Sequence, residues 1–378
     1  MKNESSSDLV VQPAPHITGA MSKNRLMLYT FVALLIIELV TIVMWWPVTT
    51  PSGWSLGLTL AICSLIAVGI AVGVDALIAK LAVDSEFNTM SAAVFGLIVT
   101  LSYSLGVPGM AMSEVMPLQA PDAFLYVGLI SLVGLVLFKK LQGLAGRKYV
   151  NPAATAKFIV LLPFLNIVLL AKEHFASFTE GGLSMPLLAG PIGHTVIGNN
   201  GLAIEGDNVS GSFASYLQSC YGLQDAAASA DLNWTMIVEK FHGWPGGASS
   251  IAVIIVGIGL FIIARKYIKW KITLSYIVTV SVMALLFTAL YGGDADVRLL
   301  FNLFIGSSIF LAFFMATDPA TTPLTDTGQL IFGIGLGVLT VLTQTYMNFF
   351  GGSLLALIIM NLTVPILDRI RIHKPFGR

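Results

Sequence analysis

From residue 26 onward the chain reads as long apolar runs separated by short polar breaks. The runs fall at 26–46, 54–79, 89–107, 123–141, 154–171, 250–265, 272–291, 298–316, 328–345 and 351–367. Most approach the roughly 17–25 apolar residues needed to cross a bilayer as a helix. A chain in lipid has no water to satisfy its peptide groups, so the runs predict helices rather than strands. The expected fold is therefore an all-α integral membrane protein with about ten transmembrane helices. One break is unlike the rest: residues 172–249 form a long polar stretch between the fifth and sixth runs.

Basic residues orient this array, because cytoplasmic connections retain Lys and Arg. With the N-terminus inside and ten spans following, 16 of the 20 basic residues fall on inner segments, three fall on outer ones (Lys172, Lys240 and Arg298), and Lys157 lies within a span. Both termini are thus expected on the cytoplasmic side of the plasma membrane, with the 172–249 loop outside. Residues 1–22 read as a flexible cytoplasmic arm. The first apolar run is too long for the core of a cleaved signal and lacks a small-residue cleavage site.

The long loop divides the spans into five and five. Five is odd, so a duplicated half must insert upside down. Leu105-Gly-Val-Pro108-Gly ends the third run and Met315-Ala-Thr-Asp318-Pro319 ends the eighth; Leu161-Leu-Pro163 lies in the fifth and Leu362-Thr-Val-Pro365 in the tenth. Gly/Pro interruptions at corresponding places mark inverted repeats with broken helices. The expected organisation is an arm (1–22), a first five-helix repeat (23–171), an extracytoplasmic loop (172–249) and a second five-helix repeat (250–378).

Composition adds exclusions. Charged residues make up 11% of the chain, against about 25% in soluble domains. The 20 basic and 20 acidic residues cancel, which gives no basic footprint for nucleic acid. Cys63 and Cys220 cannot by themselves hold structural zinc or an iron–sulfur cluster. No P-loop pattern occurs, and the five histidines are scattered.

Three ionisable residues, Glu38, Asp75 and Lys157, fall within apolar runs. Each costs about 3 kcal/mol or more at a helix centre in lipid, so each is a candidate for an ion path. The structural alternative is a pair, such as Lys157 with Asp75, or snorkelling at a span end. The densest polar cluster beside a span is 315–326, with Thr317, Asp318, Thr321, Thr322 and Thr325. Asp318 precedes a proline and is pushed out of helical geometry. Its neighbours are either ligand donors or a capped turn. Arg147-Lys-Tyr-Val-Asn151-Pro152 offers basic residues before a helix start, either an anion site or an ordinary cap.

These motifs together resemble the NqrB/RnfD family, and its RnfD branch in particular. The resemblance runs from Pro15-His16 to the last helix. It is carried by Phe313-Phe-Met-Ala-Thr-Asp-Pro-Ala-Thr-Thr-Pro-Leu-Thr, Phe332-Gly-Ile-Gly-Leu-Gly337, Leu144-Ala-Gly, Val150-Asn-Pro-Ala153 and Met360-Asn-Leu-Thr-Val-Pro-Ile-Leu-Asp368. It implies two inverted five-helix repeats with a urea-transporter-like fold, in a subunit that relays electrons across the membrane coupled to Na+ or H+ movement. It implies FMN, with riboflavin as a second candidate. An inner flavin would lie near Asn151, Thr317, Asp318, Thr321 and Thr322. An outer one would be joined to a threonine in the loop. Anchored on Pro186-Leu187, that threonine falls on Met185, whose thioether has no hydroxyl to esterify. Ser184 is the nearest substitute and Thr179 the weaker one. Phe241-His-Gly-Trp-Pro-Gly-Gly-Ala248 departs from the family too, where a Glu usually stands near Ala248. The implied partners are other Rnf-type membrane subunits, a flavin-bearing extracytoplasmic subunit, a ferredoxin-accepting iron–sulfur subunit and a cytochrome, all within membrane lipid. The competing reading is a channel or secondary transporter for a small polar solute on the same fold.

Overall fold

The computed structural model describes residues 22–49, 53–81, 89–105, 120–144, 148–162, 204–205, 208–209, 237–238, 244–265, 267–291, 295–304, 308–346 and 352–370. Most of the arm and of the 172–249 stretch lies outside them. In the first half the helices are α1 (Lys23–Trp45), α2 (Leu56–Leu81) and α3 (Thr89–Leu101). Next comes α4, which is α-helical over Asp122–Val133, π-helical over Gly134–Leu141 and α-helical again over Gln142–Leu144; α5 is Pro152–Leu161. In the second half a 3-10 turn, Pro245–Gly247, leads into α6 (Ser250–Ile263), followed by α7 (Trp270–Tyr291) and α8 (Ala295–Phe304). α9 starts as Ser308–Phe310 and continues π-helically over Leu311–Met315, before α10 (Asp326–Tyr346) and α11 (Gly352–Leu367). A two-residue antiparallel pair, Ile204–Glu205 with Asn208–Val209, and an isolated bridge between Thr49 and Ser55 are the β pairings among the described residues.

Local chemistry starts the helices where expected. Ser22 Oγ accepts the Arg25 amide at 3.2 Å, and Ser249 Oγ accepts that of Ala252 at 3.4 Å. Asn151 Oδ1 accepts the Ala153 and Ala154 amides, both at 3.1 Å, and Pro152 fills the first helical position, where its missing N–H costs nothing. The third span differs from its expected extent of 89–107. α3 stops at Leu101, and Ser102–Leu105 leave the helix just before Gly106 and Pro108. The eighth is described as α8 and α9, on either side of residues 305–307, which lie outside the described residues.

The surface is inverted relative to a soluble protein. On α1, Leu28, Val32, Ile36, Leu39 and Val43 point outward at helical spacing, while Leu34, Ile37, Glu38, Thr41 and Trp45 point inward. On α7, Leu274, Val278, Val282 and Leu285 face out, and Tyr276, Val280 and Ala284 face in. Continuous apolar outer faces of this length suit lipid rather than water. Among the described residues, five helices are long and apolar enough to cross a membrane: Asn24–Trp45, Leu56–Leu81, Asp122–Leu141, Trp270–Leu290 and Asp326–Thr343. Four shorter apolar helices, α3, α5, α6 and most of α11, pack among them.

In the first half α2 packs on α3 and α4, and α4 packs on α5. In the second half α7 packs on α8 and α10, and α10 packs on α11. Between the halves, α1 meets α6 and α5 meets α11. Glycine permits the closest of these approaches: a Cβ on Gly96 of α3 would stand 2.7 Å from Val68 Cα of α2. One on Gly337 of α10 would stand 2.8 Å from Thr279 Cβ of α7. Small residues that let helix backbones touch are how membrane helices gain dispersion contact when lipid offers no hydrophobic drive.

Candidate functional site

A cavity of about 580 Å³ opens where the first-half ends of α1, α3, α4 and α5 face the 318–320 turn and Tyr267 of the second half. That is within the usual range for organic ligand sites, about 300–1,000 Å³. Its apolar walls include Phe95 and Phe314, and its polar groups include Lys139, Lys148, Asn151 and Asp318. The two π-helical stretches contribute Lys139 and Phe314. In the second, the Ala316 amide reaches back to Leu311 O at 2.8 Å. Widened turns of this kind concentrate at functional positions.

The polar side chains are held from behind. Lys139 Nζ donates to Ser91 O at 2.5 Å and lies 5.4 Å from the Phe95 ring centre. Asn151 caps α5, and its Nδ2 donates to Met315 O at 3.4 Å, which joins the halves at the cavity floor. The start of α5 is thus occupied by its own cap. Asp318 Oδ1 accepts the Ala320 amide at 3.1 Å, and Oδ2 accepts Thr321 Oγ1 at 3.4 Å. Lys269 Nζ donates to Pro319 O, Thr322 O and Thr322 Oγ1 at 3.2, 2.9 and 2.8 Å, clamping the turn from outside.

The sequence-predicted inner residues divide into two groups. Asn151 and Asp318, 167 positions apart, line one cavity. Thr317 Oγ1 donates to Phe313 O at 2.7 Å and Thr322 Oγ1 to Asp318 O at 2.6 Å, so with Thr321 these hydroxyls build the turn behind it. Phe314 sat in the 313–325 stretch that carries the resemblance, whereas Lys139, Phe95 and Tyr267 carried no sequence signal beyond charge balance or apolarity. Lys148 sat in the basic run before Asn151. Ser184, Thr179 and Met185 of the expected outer site lie outside the described residues.

The three intramembrane ionisable residues do not converge. Asp75 is buried and pairs with Lys140 of α4, so the alternative pairing with Lys157 is not the one formed. The reason is packing: α2 lies along α4, and both residues are near the same ends of those helices. Glu38 is buried on α1 beside Ser64 of α2. Lys157 is buried on α5, donates to Ser102 O, and stands 4.2 Å from the centre of the Trp244 ring.

The donor set suits a flat aromatic ligand with an anionic part. Phe95 and Phe314 offer apolar faces, Lys139 and Lys148 offer amino groups that can donate hydrogen bonds, and Asp318 offers an acceptor. Among the described residues, no group of three or more His, Cys, Asp or Glu could hold a metal ion.

Comparison with known proteins finds similar chains. The profile of the NQR2, RnfD, RnfE family matches residues 10–377. The chain is 27% identical to the D component of the Na(+)-translocating ferredoxin:NAD(+) oxidoreductase complex of Acetobacterium woodii, over 98% of this chain and 96% of that protein. It is 29% identical to the D component of the ion-translocating oxidoreductase complex of Stutzerimonas stutzeri, over 66% and 69% of the two chains. It is 27% identical to the D component of the proton-translocating ferredoxin:NAD(+) oxidoreductase complex of Clostridium ljungdahlii, over 71% and 73%.

Proposed function

The chain belongs to the NQR2, RnfD, RnfE family, and from that premise we propose that it relays electrons across the membrane through flavin, with the Asn151–Asp318 cavity as the inner flavin site. It is a membrane subunit of an Rnf-type ion-translocating complex and works beside other Rnf subunits. The observation that carries the flavin reading is the cavity itself, which joins an apolar slot to two lysines and two predicted polar residues at the junction of the halves.

The ten spans form two inverted five-helix repeats in a urea-transporter-like fold, with both termini inside and the 172–249 loop outside. The matched packing supports this: α2 on α3 and α4 in one half has its counterpart in α7 on α8 and α10 in the other. FMN, or riboflavin at the inner site, supplies the exchange of one or two electrons. Lys139 and Lys148 balance negative charge on the ligand, and Phe95 and Phe314 exclude water from its face. Lys269 keeps the 318–322 turn from collapsing into the space. In the outer loop Ser184, or Thr179, replaces the hydroxyl missing at Met185. Electrons arrive from a ferredoxin-accepting iron–sulfur subunit and leave to a flavin-bearing extracytoplasmic subunit or a cytochrome. Glu38 and Asp75 serve the ion path.

Flavin content tests this. The purified wild-type complex is expected to release acid-extractable flavin from this chain. Lys148→Met removes a charge-assisted contact worth about 1.5–3 kcal/mol, or about 10–150-fold in affinity, so most inner flavin washes off. A wild-type chain without flavin, or a K148M chain that retains it fully, would count against the assignment.

A further inference from the structure

Three backbone carbonyls in the π-helical turn that ends α9 are met by side-chain donors. In an α-helix the Ala316 amide would bond Ala312 O. Here it donates to Leu311 O instead, at 2.8 Å. Thr273 Oγ1 of α7 stands in its place, donating to Ala312 O at 2.6 Å. One residue on, Thr317 Oγ1 donates to Phe313 O at 2.7 Å, and Asn151 Nδ2 of α5 donates to Met315 O at 3.4 Å. Thr317 belongs to the turn itself, and Asn151 lines the cavity. Thr273 comes from another helix and does not line the cavity.

Thr273 also behaves unlike other hydroxyls of its own helix. Ser275, Ser281 and Thr288 each donate to the carbonyl four residues earlier in α7. That is a common outlet for a helical hydroxyl. Thr273 reaches across to α9, and both ends of the bond are buried, Thr273 at 3% exposure and Ala312 at 0%. A buried carbonyl without a donor costs free energy, so the wide turn depends on what meets Ala312 O.

The same turn sends two neighbouring aromatic rings to different places. Phe313 packs on α6, with its ring centre 5.1 Å from that of Phe261 and its edge where a Cβ on Gly257 would stand. Phe314 lines the cavity assigned to flavin. We propose that Thr273 is a positioning residue for the inner flavin: by holding Ala312 O it keeps the turn π-helical, and so directs Phe314 at the cavity. It touches no ligand itself. In α geometry the Ala316 amide would return to Ala312 O. The residues at the end of the turn would then rotate by about 100°, the arc of one residue, relative to those before it. Phe314 would leave the cavity wall. The consequence for flavin rests on the function proposed above; the hold on the turn does not.

Thr273→Val keeps the shape of the side chain and removes its donor, whereas Thr273→Ser keeps the donor. Each is made in the whole purified complex. The readouts are a structure at side-chain resolution, the flavin retained after washing, and the midpoint potential and visible absorption of the flavin that stays bound. T273V should show the Ala316 amide on Ala312 O and Phe314 out of the cavity. It should lose inner flavin that wild type retains, and shift the potential and absorption band of the remainder. T273S should match wild type in every readout. T273V that keeps the π turn, or loses it with flavin content and potential unchanged, would overturn the proposal. So would T273V that fails to assemble where T273S assembles, because the threonine would then serve the fold as a whole. Wild-type complex without flavin, in which T273V still loses the π turn, would defeat the flavin reading and leave the hold of Thr273 on the turn standing.

Discussion

Lys140→Met destabilises the first half of the molecule far more than Asp75→Asn, although the two side chains form one ion pair. The asymmetry follows from where each sits. The Asp75 side chain is 3% exposed and that of Lys140 is 22% exposed. Removing the lysine leaves a carboxylate inside the helix bundle, and breaking a buried pair in that way costs about 3–5 kcal/mol. Removing the negative charge instead leaves an amine on a long stem that can reach water, and an amide that can still hydrogen-bond, so the loss is about 1 kcal/mol. Melting of the two variants in the same detergent measures the difference. Equal losses, or the reverse order, would mean that the pair is solvated.

Gly96→Leu should abolish folded protein. The Cβ alone would stand 2.7 Å from Val68 Cα and 2.9 Å from Val68 N. Both neighbours are backbone of α2, so no rotamer change relieves the clash, and α3 must move away from the helix it packs on most closely. Overpacking in a tight core costs about 1–3 kcal/mol even where side chains can shift. Here the cost should exceed that range. Gly69→Ala is the matched control, because a Cβ there meets nothing within 4 Å. Replacing a helical glycine by alanine at such a site gains up to about 1 kcal/mol of helix propensity. The yield of monodisperse protein on size exclusion reads both variants. A normal yield of G96L would show that α2 and α3 are not in contact.

The spans were legible in the sequence because lipid leaves the backbone few choices. Long apolar runs must become helices, and the observed starts at Lys23, Leu56, Thr89, Pro152 and Ser250 lie close to the read boundaries. The cap at Asn151 was legible for the same local reason. The breaks were half legible. Asp318-Pro319 announced one, but α3 ends at Leu101, six residues before its apolar run does. Side-chain partners were not legible at all. Asp75, Lys140 and Lys157 are each a charge near apolar sequence, and only the packing of α2 along α4 selects Lys140. In the 315–326 cluster both readings describe the same turn: its threonines bond within it, while Asp318 also faces the cavity. Phe95, Lys139 and Tyr267 come from three separate segments, and no linear pattern connects them.

The most direct test of the account joins ion movement to the inner cavity. Membrane vesicles are prepared from a strain lacking this gene and from the same strain carrying wild type or Ala153→Trp, which fills the cavity where Ala153 lines it. Ion uptake driven by reduced ferredoxin and NAD+ is then measured, with assembly of the complex checked in each case. The account predicts uptake with wild type and none in the deletion strain. In A153W it predicts an assembled complex without inner flavin and without uptake. Undiminished uptake in the deletion strain, or wild-type uptake and flavin content in A153W, would contradict it.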